Sequence, residues 1–138
     1  MGAQENLQVV KNGYAAFRRG DVPGLLALFA EDIEWHIPGK GFPIAGDYRG
    51  HSGVAGFFQK LAAEIEFSDF QPREFVAEGD SVLVIGSDRA KVRATNRTLE
   101  VDWVHAFTLR NGKVTKFREF TDTQAIAAAY EGAARAAV

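Results

Sequence analysis

No cysteine occurs among the 138 residues of the chain. This absence excludes a disulfide framework, a thiolate metal site and a thiol nucleophile, and it is compatible with a reducing compartment. Histidine is also scarce, and the three histidines show neither HExxH nor HxH spacing. We therefore expect no metal centre, and we predict a cytoplasmic protein.

An excess of positive charge is missing as well, because 16 basic residues face 18 acidic ones. Nucleic-acid binding needs a basic face, so no nucleic-acid partner is expected. No apolar run approaches the roughly 18 residues of a membrane-spanning helix, and the start MGAQENLQVV does not resemble a signal peptide, so we expect no membrane partner. The glycine-rich segment GDYRGHSG follows a loop rather than a strand, and hence predicts no nucleotide cofactor. We expect a protein without any cofactor.

Aromatic residues, by contrast, are abundant. The chain has 11 Phe, 2 Trp and 3 Tyr within a hydrophobic fraction of 46%. This length and composition are typical of one domain, residues 1–138, with a substantial apolar core. Aromatic residues at this density fill a core or line an apolar pocket.

Three helices are predicted in the first half of the chain. Apolar residues at helical spacing indicate a first helix from about Gln4 to Arg19. Asp21 is a suitable N-cap for a short second helix, and Ser52 is a suitable N-cap for a third. Between the second and third helices lie a short strand, DIEWHI, and a long loop, PGKGFPIAGDYRG, of the kind that forms a lid or a mouth.

Strand patterns dominate the second half. Alternating or apolar segments follow one another from residue 69 to residue 120, separated by Gly-Asp, Thr-Asn-Arg and Asn-Gly turns. A last short helix begins near Asp122 or Thr123. Helices followed by an antiparallel meander predict an α+β fold in which the helices pack on one side of a curved sheet.

The hairpin VDWVHAFTLRNGKVTKFREF carries two polar residues in rows that are otherwise apolar, His105 and Glu119. A two-residue turn at Asn111-Gly112 would set His105 opposite Arg118, whereas a three-residue loop would set it opposite Phe117. We favour the three-residue loop, because it buries one carboxylate near an imidazole rather than two unpaired cations. His105 and Glu119 are then diagonal neighbours.

A family resemblance is carried by three segments, YAAFRRGDVPGLLALFAEDIEW, YRGHSGVAGFFQKLA and WVHAFTLRNGKVTKFREFTDT. In order and spacing they resemble the nuclear transport factor 2-like superfamily, and within it the SnoaL-like and ketosteroid-isomerase-like proteins. The resemblance implies a cone-shaped barrel, with a strongly curved mixed sheet wrapped around three N-terminal helices and a short C-terminal helix. It also implies an apolar pocket at the wide end and a homodimer formed through the outer sheet face.

The resemblance to ketosteroid isomerase does not extend to the catalytic residues of that enzyme, which are an Asp base and a Tyr and protonated Asp that bind the oxyanion. Ile37 stands at the place of the base, Gly13 at the place of the tyrosine, and His105 at the place of the second Asp. The SnoaL-like polyketide cyclases are closer. Their acid/base Asp on the last strand and a His on the neighbouring strand correspond to Glu119, a Glu in this chain, and His105.

These residues predict a proton-transfer site, because aromatic surroundings that desolvate a carboxylate favour an acid or base useful near neutral pH. We predict that Glu119 moves the proton and that His105 assists or stabilises the oxyanion. The predicted reactions are isomerisation, aldol-type cyclisation or dehydration of a small hydrophobic carbonyl compound. The residues predicted to contact this substrate are Tyr14, Trp35, Ile37, Phe58, Trp103, Phe107 and Phe117.

Alternatives remain at this point. The pair is a structural contact in a protein that binds a small hydrophobic ligand, or a dimeric interaction module, without turnover. Hydrolysis of an epoxide would need an acid–arginine–acid arrangement, for which only Arg89 or Arg118 with Asp102 is available. Tyr14 donates its hydroxyl group to a substrate oxygen or simply packs in the core. His36 is expected to point away from the pocket, because its neighbour Trp35 points into it.

Overall fold

The structure is a computed structural model, and it describes residues 2–132. Within these residues the elements are α1 (Ala3–Arg18), α2 (Val22–Ala27), β1 (Phe29–Ile37), β2 (Gly46–Arg49), α3 (Gly50–Glu64), β3 (Ile65–Glu78), β4 (Ser81–Val92), β5 (Arg97–Arg110), β6 (Lys113–Thr121) and α4 (Thr123–Ala129). No helix in this part of the chain is long and apolar enough to cross a membrane.

The six strands of the described residues form one mixed sheet in the order β2-β1-β6-β5-β4-β3. Only β1 and β6 are parallel, and the other neighbours are antiparallel. The curved sheet wraps around the N-terminal helices, with α1 against β3 and β4 and α3 against β1. The predicted α+β fold is therefore confirmed, with one correction: the sheet is not closed into a barrel, since β2 and β3 are its two edges.

The helix predictions hold for α1 and α2 and fail at the start of α3. Asp21 caps α2, since its Oδ1 accepts a hydrogen bond from the Gly24 backbone N–H at 2.9 Å. Ser52, however, lies inside α3, whose N-cap is Arg49. The reason is that the end of the predicted loop forms β2, which pairs with β1 and leads directly into the helix.

The C-terminal helix is predicted correctly. α4 begins at Thr123, and the Oδ1 of Asp122 accepts a hydrogen bond from the Ala125 backbone N–H at 2.9 Å. This capping ends β6 and starts the helix within two residues. The alanine-rich residues 133–138, which favour helix by composition, lie outside the described residues.

The hairpin between β5 and β6 combines features of both predicted registers. Its turn has two residues, with positive φ at Asn111 (52°) and Gly112 (75°), so Arg110 pairs with Lys113. A β-bulge then leaves Thr115 without a partner, because Leu109 pairs with Val114 and Thr108 pairs with Lys116.

The bulge corrects the predicted register. His105 lies directly opposite Glu119, rather than diagonal to it. Before the bulge Val114 points inward, and after the bulge Phe117 and Glu119 point inward. The preference for burying one carboxylate was correct, whereas the three-residue loop was wrong, because the extra residue lies in β6 and not in the turn.

The outer face of the sheet carries an apolar patch. Val76, Leu83, Ile85 and Phe120 are all more than 40% exposed. They lie in two adjacent cross-strand rows, Val76–Leu83–Ala106 and Ile85–Val104–Phe120. These six residues are hereafter called the outer patch.

Gly86 on β4 gives room to Trp103 of β5, with which it is paired. A Cβ added at Gly86 would lie 2.5 Å from the Trp103 ring and 2.5 Å from the Gln71 carbonyl oxygen. Trp103 is only 2% exposed, and its indole stacks on the His105 ring at a centroid distance of 3.8 Å. The missing side chain at Gly86 therefore lets Trp103 lie across β4 and support His105.

We predict that Gly86→Ala lowers the free energy of unfolding by about 1–3 kcal/mol, because a methyl group overpacks this contact. Urea denaturation measures the change. Gly56→Ala is the matched control: the added Cβ there meets nothing within 4 Å, and alanine in α3 stabilises the protein by up to about 1 kcal/mol. A Gly86→Ala protein as stable as the wild type would contradict the close approach of Trp103 to β4.

Candidate active site

Three polar side chains form a hydrogen-bonded chain on the concave face of the sheet. Tyr14 belongs to α1, His105 to β5 and Glu119 to β6. The Tyr14 hydroxyl oxygen lies 2.7 Å from His105 Nδ1, and His105 Nε2 lies 3.0 Å from Glu119 Oε2. Tyr14 and His105 are buried, whereas the Glu119 side chain keeps 20% exposure. We call this chain of three residues the relay.

The partners of His105 determine where its proton lies. An ionised carboxylate can only accept, so Nε2 donates to Glu119, and in a neutral imidazole Nδ1 then accepts from the Tyr14 hydroxyl group. Burial, followed by the charge of Glu119, raises the pKa of Tyr14 above its ordinary value and keeps the hydroxyl protonated. In this arrangement both ring nitrogens are occupied, and His105 has no N–H left to stabilise an oxyanion.

Aromatic rings hold the imidazole in place. Trp103 stacks on His105 with 11° between the ring planes, and Phe117 meets it edge-on at a centroid distance of 4.8 Å. Tyr14 lies parallel to His105 at 6.0 Å. Such packing restricts rotation of His105, so the direction of its hydrogen bond to Glu119 is fixed by the surrounding core.

An apolar cavity of about 120 Å³ lies beside the relay. For scale, an engineered apolar cavity of about 150 Å³ holds one benzene molecule. All three relay residues line this cavity. It is also lined by six of the seven residues predicted to contact substrate, which are Tyr14, Trp35, Ile37, Phe58, Phe107 and Phe117. The lining includes no Lys or Arg within the described residues, so it offers no permanent positive charge to a ligand.

Trp103 corrects the predicted lining. It is absent from the cavity wall, because its indole lies behind His105 and across Gly86. Alternation along β5 correctly placed Trp103 on the concave face. It could not show that the ring would lie flat under its neighbour, and we therefore assign Trp103 a supporting position.

Asp88 is a second carboxyl group in the cavity wall, which is not among the residues predicted from sequence. Burial, followed by the negative charges of Glu119 and Asp69, raises the pKa of Asp88 to about 7. The Trp103 indole N–H opposes this rise as a nearby dipole, although it makes no hydrogen bond of normal geometry. At neutral pH a large fraction of Asp88 is therefore a neutral carboxylic acid.

A sequence signal for Asp88 does exist. Every second residue of β4 points inward, and all members of this row are apolar or glycine except Asp88: Val82, Val84, Gly86, Asp88, Ala90 and Val92. This is the same interruption of an apolar row that singled out His105 on β5.

The other histidines and Tyr48 have local structural partners. His36 is exposed, as predicted, and pairs with Asp47 on β2. His51 Nε2 donates to the Phe29 carbonyl oxygen at 2.9 Å, and Tyr48 donates to the Ile44 carbonyl oxygen at 2.8 Å. Each contact ties the chain around β2 and α3 to neighbouring backbone or side chains, away from the relay.

The residues considered for epoxide hydrolysis do not meet in the cavity. Arg89, Asp102 and Arg118 are exposed, Arg89 pairs with Glu100, and the Arg118 guanidinium lies over the Phe120 ring. Over residues 2–132, no group of three or more His, Asp or Glu side chains is arranged to hold a metal ion. Within the described residues, the polar side chains of the cavity wall are two carboxyl groups, an imidazole, a phenol and the Thr121 hydroxyl group, which donates to the Asp102 carbonyl oxygen.

Comparison with protein families matches residues 10–117 to the SnoaL-like domain, which is more than half of the chain. The chain therefore belongs to the SnoaL-like family. An uncharacterized protein of Mycobacterium tuberculosis is 30% identical over 115 residues, which are 83% of this chain and 87% of the relative.

Solved structures agree with this assignment. An NTF2-like protein from Burkholderia xenovorans is 53% identical, with a TM-score of 0.88 over 94% of this chain and 98% of the other. TerC, co-crystallized with polyporic acid, is 30% identical, with a TM-score of 0.82 over 92% and 98% of the two chains. A SnoaL-like polyketide cyclase structure from Mesorhizobium loti is 22% identical, with a TM-score of 0.69 over 82% and 96%, and supports the fold alone.

We predict that Asp88→Asn removes a pH dependence of stability. The pKa of Asp88 is about 7 in the folded protein against an ordinary value of 3.8. Between these values the unfolded chain releases a proton that the folded protein keeps, so wild-type stability falls as the pH rises from about 4 to about 7, and this effect is constant above that range. At about pH 8 the variant is more stable than the wild type, by up to about 4 kcal/mol.

Urea denaturation across this pH range measures the effect. The exposed Asp102→Asn serves as the control and is expected to follow the wild-type pH profile. A difference between wild type and Asp88→Asn that stays constant with pH would show that Asp88 does not hold a proton in the folded state.

Proposed function

We propose that this protein catalyses cofactor-free proton transfer at the carbon next to a carbonyl group, in a small hydrophobic molecule, with Glu119 as the general base. The observation that carries the proposal is a partly exposed carboxylate that His105 holds at an apolar cavity. Within the described residues only Oε2 of Glu119 is hydrogen-bonded, so Oε1 is free to accept a proton.

Each relay residue has a distinct role in this proposal. Glu119 Oε1 takes the proton from carbon, and the electron pair of the C–H bond moves into an enolate. His105 positions the carboxylate through its Nε2–H, and Tyr14 fixes the neutral tautomer of His105. The apolar wall excludes water, which strengthens the electrostatic interactions of the charge that develops during proton transfer.

Three reactions share this first step. Return of the proton from Glu119 to another carbon gives isomerisation. Attack of the enolate on a second carbonyl carbon forms a carbon–carbon bond, and the resulting alkoxide takes the proton from Glu119, which gives aldol-type cyclisation. Loss of a β-hydroxyl group as water, with the proton supplied by protonated Glu119, gives dehydration. Membership of the SnoaL-like family supports this range of chemistry without selecting one reaction.

We predict that Glu119→Gln lowers enzyme-dependent proton exchange by about 100-fold or more, because the amide cannot accept the proton. The measurement is deuterium incorporation at the α-carbon of small ketones such as cyclohexanone, followed by NMR in deuterated buffer. Binding of the ketone, followed by tryptophan fluorescence, is expected to persist in the variant.

Glu31→Gln is the matched control, because Glu31 is exposed on β1 and its substitution removes the same charge. Exchange that is undiminished in Glu119→Gln would refute the proposed base. Ketone binding without exchange by the wild type would instead support the alternative function, ligand binding without turnover.

We further propose that the protein forms a homodimer through the outer patch. Four of its six residues are more than 40% exposed large apolar side chains, and contiguous apolar surface of this kind marks interaction sites. The positive Arg118 and the negative Asp102 flank the patch on the same sheet face, which suits a self-complementary pairing.

We predict that Ile85→Glu converts the dimer to a monomer, because two buried carboxylates would face an apolar interface. Analytical ultracentrifugation gives the mass, and circular dichroism reports retention of the fold. Gln59→Glu on the exposed side of α3 adds the same charge and leaves the dimer intact. A monomeric wild type, or a dimeric Ile85→Glu variant, would exclude the outer patch as the interface.

A further inference from the structure

Asp88 and Glu119 reach the same cavity from separate places in the sheet. Glu119 on β6 pairs with His105, whereas Asp88 on β4 pairs with Val101, four residues earlier on β5. One strand and two inward positions thus separate the carboxyl groups, and both line the cavity wall. The remainder of the wall between and around them is mostly aromatic and aliphatic.

Among the described residues, no cation forms an ion pair with the carboxyl group of Asp88. Asp69 on β3 and Glu119 on β6 are acids that disfavour its ionisation. Arg18 at the end of α1 is exposed and donates to the Phe70 carbonyl oxygen at 3.3 Å. The neighbouring Arg89 pairs with Glu100 on the outer face of the sheet.

The polar neighbours of Asp88 are engaged elsewhere or lack normal hydrogen-bond geometry. Tyr14 and His105 are bonded to each other within the relay, and the Trp103 N–H lacks a partner of normal geometry. Among the described residues, hydrogen bonds reach the carboxylates of Asp69, Glu100 and Glu119, but none reaches Asp88. Its carboxyl group is therefore available to a molecule in the cavity.

We propose that the cavity takes a single-ring molecule with oxygen functions on opposite sides: a hydroxyl group that donates to Glu119, and a carbonyl oxygen that accepts a hydrogen bond from the carboxylic acid of Asp88. This inference rests on the proposed function and names the substrate class of that site. The volume of about 120 Å³ is of the size that one ring fills. The two carboxyl groups, on non-adjacent strands, supply two polar positions.

A neutral oxygen function suits this place better than an ammonium group. Burying an ion pair costs desolvation of both charges, and apolar surroundings repay that cost only when further hydrogen bonds complete the site. Asp88 already avoids this cost by holding a proton at neutral pH. As an acid it donates one hydrogen bond to a carbonyl or hydroxyl oxygen.

The test compares cyclohexanol with 4-hydroxycyclohexanone, which differ in the carbonyl group opposite the hydroxyl group. At about pH 6 the wild type is expected to bind the hydroxyketone roughly tenfold more tightly than the alcohol, the value of about one buried hydrogen bond. Titration calorimetry or tryptophan fluorescence measures both affinities. Asp88→Leu is expected to bind both ligands with the affinity of the alcohol.

Asp88→Asn separates hydrogen bonding from protonation. The amide donates a hydrogen bond at every pH, so this variant keeps the preference for the hydroxyketone at about pH 6 and at about pH 9. The wild type is expected to lose most of its preference over the same range, because Asp88 becomes an ionised acceptor.

Two results overturn the assignment. One is an Asp88→Leu protein that folds and still prefers the hydroxyketone. The other is stronger binding of benzylamine than of the hydroxyketone by the wild type at about pH 9, which would identify Asp88 as an ammonium site. Failure of both ligands to bind the wild type would exclude this ligand class. The proposed base is tested separately, because Glu119→Gln is judged by deuterium exchange into cyclohexanone, whereas the Asp88 variants are judged by the difference in affinity between the two ligands.

Discussion

The hydrogen bond between His105 Nε2 and Glu119 Oε2 is the contact on which the arrangement of the cavity depends. It joins two directly opposed residues of β5 and β6 within an apolar face, where an unpartnered carboxylate would be costly. Tyr14 extends the contact to α1, so a helix and two strands are linked through polar groups inside the core. Contacts of this kind fix geometry more reliably than they add stability, because desolvation offsets much of their attraction.

The two carboxyl groups of the cavity differ because their neighbours differ. Glu119 has an imidazole partner and some access to water, whereas Asp88 has acids nearby and forms no ion pair within residues 2–132. One cavity thus offers a hydrogen-bonded carboxylate and a group that holds its proton near neutral pH. Pairs of acids in unequal surroundings are a general means by which proteins obtain both an acceptor and a donor of protons at a single pH.

Much of this structure is predictable from local patterns, and the failures have physical causes. Alternation in β5 and β6 identified His105 and Glu119, and helical spacing with the Asp21 cap located α1 and α2. Asp88 interrupts the inward-facing apolar row of β4 in the same way, although it is not among the residues predicted from sequence.

Other features depend on residues that are distant in sequence. The four residues of β2 form a strand only because β1 offers a partner, and the Tyr14–His105 hydrogen bond joins residues 91 positions apart. The position of Trp103 depends on a glycine in a different strand. None of these contacts leaves a signal in its own segment of the chain.

The bulge at Thr115 has a consequence for how the chain tolerates changes in length. Hairpin tips commonly accept inserted or deleted residues. Here deletion of Thr115 itself would keep the register, whereas deletion of one residue beyond the bulge, with the bulge kept, would shift every following residue to the opposite face, expose Glu119 and bring the Arg118 guanidinium toward His105. The length of β6 beyond the bulge is therefore linked to the sign of the charge inside the protein.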